Sequence, residues 1–143
     1  MISIPTWFIY ALLGAIFAAF STIFAKIGLQ GINSITVTTF RSIIMALVIF
    51  IIFMLEIRDI NNLFNLSNKD YIFIILSAIF GALSWIAFFY ALKIGEASNV
   101  SIVDKSSLLF VILLSILILN EKITIQKAIA SILMFIALVL LVI

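Results

Sequence analysis

Five long runs of apolar residues dominate this chain: Ile4–Ala25, Ile35–Leu55, Tyr71–Leu92, Ala97–Leu119 and Ile123–Ile143. Each is near the ~20 residues that a helix needs to cross a hydrocarbon core. The first and third carry no charge, the second only Arg41, the fourth Asp104 and Lys105, and the fifth Lys127. Backbone polar groups in lipid must be satisfied within the segment, so the runs predict helices. A barrel would need a period of two, which the chain does not show. The expected fold is an all-α membrane protein of five spans in one domain, residues 1–143.

Composition supports lipid as the solvent. Hydrophobic residues make up 66% of the 143 positions and charged residues 10%, against about a quarter charged in soluble domains. A chain of this length has too little interior to hide that much apolar surface from water. Cysteine and histidine are absent, which leaves no zinc or haem ligand set, so neither a metal nor a cofactor is expected. The net charge of +2 is too small and scattered for nucleic acid. The first run is too long, and too poor in basic residues before it, for a cleaved signal peptide.

Punctuation between the runs is legible. Pro5 suits a first helical turn. Asn33 and Ser34 are candidate caps for the second helix, Ser67 for the third, and Ser98 or Asn99 for the fourth. The polar connection from Glu56 to Asp70 is expected at the membrane interface. Glu121 falls in the last turn, where a carboxylate suits a helix start, and Lys127 is expected to snorkel. Near the surface, Arg58, Lys69, Lys122 and Lys127 lie on the N-terminal side, against Lys26 and Lys93 on the other. Counting Arg41 and Lys105 makes the sides equal, a weak bias that permits insertion both ways.

The intramembrane charges are the candidate site. Arg41 lies ~9 Å along its helix and Asp104 ~10 Å along the fourth, both entering from the same side. A charge deep in a span costs at least ~2.5 kcal/mol, so each is expected to meet a partner or a cavity. Arg41 and Asp104 are therefore expected to pair. Lys105 is rotated by ~100° and either snorkels or meets a ligand. Ser101, Asp104 and Ser107 recur at i, i+3 and i+6, a polar helix side. A structural ion pair is the plain alternative, but three charges and several serines at one depth favour a functional site for substrate or coupling. Trp85, near mid-span, could line a substrate cavity. Gly14, Ala18, Ser21, Ala25 and Gly28 form a small-residue stripe, as do Ser77, Gly81 and Ser84. These are expected to let helices pack closely. No set of residues offers a nucleophile, base or metal for catalysis, so no enzyme is expected.

Three stretches resemble a known family. "AKIGLQGINSITVTTFRSIIMAL" is similar to the first hairpin of an EamA domain, the repeat unit of the drug/metabolite transporter superfamily, with Arg41 at the second-helix arginine. "GALSWIAFFYALKIGEASNVSIVDKSS" resembles its third helix and junction, and "SILILNEKITIQKAIASILMFIALVLL" its closing segment with Glu121. The Asp-Lys pair with following serines most resembles short, one-domain members. A glycine is usual before that glutamate; here it is Asn120, which also tolerates a left-handed turn. Most members carry two such domains, whereas this chain carries one. The resemblance implies a secondary transporter of small metabolites in the plasma or inner membrane. The two basic groups and one acid suggest zwitterionic or anionic solutes, such as amino acids. Five spans are few for a pathway, so the expected assembly is an antiparallel homodimer, or a heterodimer with an inverted paralogue. A lipid-linked sugar flippase subunit and a structural membrane subunit are the alternatives.

Overall fold

The computed structural model describes residues 5–56 and 66–142, and those residues are helices joined by turns. The helices are α1 (Thr6–Gly28), α2 (Ser34–Glu56), α3 (Asn68–Ile94), α4 (Ala97–Asp104), α5 (Ser107–Leu119) and α6 (Ile125–Val142). They form two compact units, Met1–Ile94 and Gly95–Ile143. Three helices, and the stretch Ala97–Leu119 that holds α4 and α5, are long and apolar enough to span a membrane. The apolar part of α6, Ile125–Leu141, is shorter and falls at the low end of spanning lengths. The multi-pass, all-α architecture agrees with the sequence, while the fourth run is two helices rather than one. Most of the connection from Glu56 to Asp70 lies outside the described residues.

The helix starts follow from local chemistry. Asn33 Oδ1 accepts the Ile35 N–H at 2.8 Å, so Asn33 caps α2 as expected. Ser67 Oγ accepts the Asp70 N–H at 3.3 Å, and the Asp70 carboxylate accepts the Ser67 N–H at 3.1 Å. This reciprocal pair is a capping box that satisfies two amides at the start of α3. Pro5 is the residue before α1, not its first turn, and its carbonyl accepts the Phe8 N–H. The fourth run starts differently from the expectation. Glu96 precedes α4, and Ser98 and Asn99 lie within its first turn, with Asn99 Nδ2 donating to Glu96 Oε2 at 3.2 Å. A carboxylate at that end is favoured by the helix dipole.

In the first unit α2 packs chiefly on α3, and α1 also meets α3. The core lies at one end, where α1 finishes, α2 starts and α3 finishes. Leu29, Phe89 and Leu92 are buried there with Ser34 and Thr38. Gly31, with φ 74°, makes the tight turn between α1 and α2, a backbone state that glycine adopts without steric cost. Lys26 Nζ donates to the Leu92 carbonyl oxygen at 2.7 Å. A cation at the C-terminal end of α3 complements its dipole and satisfies a carbonyl that has no helical donor. Elsewhere the helices present large apolar side chains outward, as a bilayer requires.

Phe89 is 2% exposed and carries much of this core. Lipid tails are as apolar as a protein core, so burial from water adds little and the cavity left behind dominates the loss. Phe89→Ala is therefore expected to cost about 2 kcal/mol, less than in a soluble core. Unfolding in mixed micelles by SDS titration measures it, and a cost below about 0.5 kcal/mol would show that this end is not the core.

The second unit is joined by a left-handed residue. Asn120 has φ 54° and ψ 33° and closes α5, with the Glu121 N–H reaching back to the Ser115 carbonyl at 3.2 Å. α6 then packs on α5 and on α4.

Candidate functional site

Hydroxyls inside the spans are mostly satisfied by their own helices. Thr22 donates to the Ala18 carbonyl, Thr38 to that of Ser34, Ser42 to that of Thr38 and Ser131 to that of Lys127. The four-residue return is the natural partner where no water is at hand. Ser34 Oγ is buried with no hydrogen-bond partner among the described residues.

Arg41 has no such local solution. Its side chain crosses to both neighbouring helices of the first unit. Nη2 donates to Ser21 Oγ on α1 at 3.0 Å. Its Cζ lies 4.8 Å from the ring centroid of Trp85 and 5.2 Å from that of Phe89, both on α3. A guanidinium held against aromatic rings gains from their quadrupoles, more so where water is excluded. Among the described residues of the first unit, no carboxylate lies within 4 Å of it. Ser21, read as a packing residue, is thus also the polar partner of Arg41. Its place on the small-residue stripe of α1 was the available signal.

The other small residues behave differently. A Cβ built on Gly14, Gly28 or Gly81 would meet nothing within 4 Å. Among the described residues, nothing closely approaches those three positions.

Between α2 and α3 the first unit holds a groove of about 380 Å³, and Trp85 lines it together with Thr38, Thr39 and Ser42. Trp85 is 37% exposed. Trp85 thus lines this groove and also lies against the guanidinium of Arg41.

In the second unit the fourth run breaks at its charged residues. Lys105 N–H still reaches the Ser101 carbonyl, four residues back, at 3.1 Å. The next bonds reach only three back: Ser106 to Val103, Leu108 to Lys105 and Leu109 to Ser106. This tighter turn ends α4 at Asp104 and restarts the helix at Ser107. Ser101, Asp104 and Ser107 therefore do not share one uninterrupted helix side. Lys105 does not point away from Asp104 as a regular helix would direct it. Its Nζ folds back onto Asp104 Oδ2 at 3.3 Å, with both side chains partly exposed. Discontinuous spanning helices recur where transporters bind ions and solutes.

The last turn is structural. Lys127 Nζ donates to Glu121 Oε2 at 2.7 Å, so this lysine closes the connection instead of extending along the helix. The hydrogen bond and charge of Lys127 hold the Glu121 carboxyl below its usual range. A depressed carboxylate stabilises the fold above the unfolded glutamate value of about 4.3, and that contribution fades as pH falls through the folded value. Amide exchange in residues 120–125 is expected to speed up only in that acidic window, and Lys127→Met is expected to remove the step.

Among the described residues no cluster of carboxylates stands ready for a metal.

Comparison with known proteins agrees with this geometry. Residues 5–143 match the EamA-like transporter family. The chain is 31% identical over 122 residues to a Sinorhizobium sp protein called "Uncharacterized transporter in cobO 3'region", covering 85% of this chain and 86% of that protein. No solved structure matches. With spanning helices, an intramembrane arginine and a family match across nearly its whole length, the chain belongs to the EamA-like transporter family and is a multi-pass membrane transporter of the drug/metabolite transporter superfamily.

Proposed function

We infer that this transporter moves small zwitterionic or anionic metabolites across the plasma or inner membrane, with Arg41 as the anchor for the solute's negative group. The observation that carries this reading is the guanidinium itself. It stands in an apolar span on a serine and two rings, with no carboxylate beside it among the described residues of its unit. An arginine edge suits a planar anion, and a charge kept in a span at the cost of insertion is by default functional. Asp104 and Lys105, at the helix break, are the proposed coupling groups. The two units are proposed to act as one repeat, since a single family match spans both.

A single repeat completes a pathway by pairing with an inverted copy, so the working form is proposed to be an antiparallel homodimer. The weak charge bias permits it. Counterflow in liposomes tests the solute class: carboxylate-bearing solutes are expected to exchange and bare organic cations are not. Exchange of cations alone would overturn the reading. A cysteine placed beside the N-terminus is expected to label from both faces of intact cells. Labelling from one face only would replace the homodimer with an inverted paralogue as partner.

A further inference from the structure

Ser21 differs from several other hydroxyls in the spans. Thr22, Thr38, Ser42 and Ser131 each donate to a carbonyl four residues back on their own helix. Ser21 makes no such return. Its Oγ accepts from Arg41 Nη2 at 3.0 Å, and its own O–H has no acceptor among the described residues. A serine hydroxyl has one proton and two lone pairs, so accepting from Arg41 leaves that proton to give. Chained hydrogen bonds polarise one another, and a hydroxyl that accepts from a cation becomes a stronger donor to the next group.

The guanidinium is in the same condition. It carries five N–H donors, and Ser21 takes a hydrogen bond from one nitrogen. Trp85 and Phe89 offer it rings, and among the described residues nothing else accepts from it. α1 ends at Gly28 and α2 starts at Ser34, so Ser21 and Arg41 are level, each about 10 Å inside that end of the unit. Both side chains are partly exposed. Spare donors of two kinds therefore stand side by side around one positive charge. A water molecule would meet the donors and leave the charge unpaired, which is costly away from bulk water. A negative group with two oxygens meets both demands.

We propose that Ser21 contacts the solute: a carboxylate bound by Arg41 takes a further hydrogen bond from the Ser21 hydroxyl. This rests on Arg41 being the solute anchor. The serine then sets specificity for the head group, because fixed donors are left unpaired by an analogue that lacks the acceptor.

Arg41 also lines a pocket of about 400 Å³ with Gly28, Ile32, Val37, Phe40 and Ile44, so a probe with a short apolar body suits its surroundings. The chain has two tryptophans, and Trp7→Phe leaves Trp85 as a reporter 4.8 Å from the guanidinium carbon. The purified full chain in detergent would be titrated with 4-methylpentanoate and 4-methylpentanamide, with Trp85 emission as the readout. A saturable change is expected with the carboxylate, and binding at least about tenfold weaker with the amide. Ser21→Ala is expected to raise the carboxylate midpoint about tenfold, as for the loss of one hydrogen bond to a charged group. Ser21→Thr keeps a hydroxyl and is expected to recover most of that affinity. In an Arg41→Lys background, Ser21→Ala is expected to weaken binding by at least about threefold more, because the hydroxyl acts on the anion itself. No further loss in that background would reduce Ser21 to a prop for the guanidinium and overturn the proposal. A threonine variant as weak as the alanine one would make the effect one of packing and would also overturn it. A midpoint unmoved by Ser21→Ala but lost in Arg41→Met would overturn the proposal and leave Arg41 as the anchor. Equal responses to carboxylate and amide, no response to the carboxylate, or a response unchanged in Arg41→Met would remove the anchor and the proposal with it.

Discussion

Arg41→Met is expected to lower solute exchange by about a hundredfold while changing stability by no more than about 2.5 kcal/mol. The two effects separate because the folded chain's interactions with this side chain nearly cancel. A charge-assisted hydrogen bond to Ser21 contributes about 1.5–3 kcal/mol, and two ring contacts add about 0.5–1 kcal/mol each. Holding the charge inside the span costs about 2.5–3.5 kcal/mol. Methionine keeps the apolar stem and removes both sides of that balance. An arginine that contributes so little to folding is then accounted for by what it binds. Leaving a bound anion without its partner costs about 2–5 kcal/mol, the source of the hundredfold estimate. Arg41→Lys keeps the charge but loses the planar fork and is expected to fall between the two, at about tenfold. Counterflow rates and SDS-titration unfolding of the same preparations give both quantities. A loss of more than about 4 kcal/mol with exchange intact would show Arg41 to be a brace between helices and not an anchor.

The parts of the structure that the sequence reveals are those that lipid enforces locally. Apolar runs fix the spans because a backbone in hydrocarbon has few other choices. Asn33, Ser67 and Asn120 announce helix ends because their side chains or left-handed tolerance solve a problem within a few residues. The break at Lys105 is less visible. Spacing Ser101, Asp104 and Ser107 on one side assumed a continuous helix, and the shift to three-residue bonds removes that assumption. The partner of Lys127 is hidden for a related reason: Glu121 lies across a turn whose shape depends on Asn120. For Gly14 and Gly81, spacing shows which residues share a side, but among the described residues no neighbour comes within 4 Å of a Cβ built there. Arg41 is legible as a charge within an apolar span. Its partners on α1 and α3 were not, because they depend on how three helices meet at one end.

Asp104→Asn is expected to abolish accumulation driven by a pH gradient while solute exchange without a gradient continues. The chain contains no histidine, so a proton carried through the spans needs a carboxylate. Among the described residues, Glu56 ends α2, Asp70 and Glu96 sit at helix starts, and Glu121 is tied to Lys127 in a connection. Asp104 is the remaining carboxylate, and it lies where the fourth run breaks. Its partner Lys105 is at 3.3 Å, and a break in the helix lets the two side chains separate without unwinding a regular turn. Asparagine preserves shape and hydrogen bonding but cannot titrate. A gradient of one pH unit supplies about 1.4 kcal/mol, enough for a tenfold accumulation by a one-proton symporter. That ratio is expected to fall to unity in the variant. The substitution also leaves Lys105 without its counter-charge, a separate cost inside a membrane. The double variant Asp104→Asn with Lys105→Met removes that cost and is expected to keep exchange while still showing no accumulation. Accumulation surviving in the single variant at the original ratio would assign the proton elsewhere and leave Asp104 as the counter-charge of Lys105.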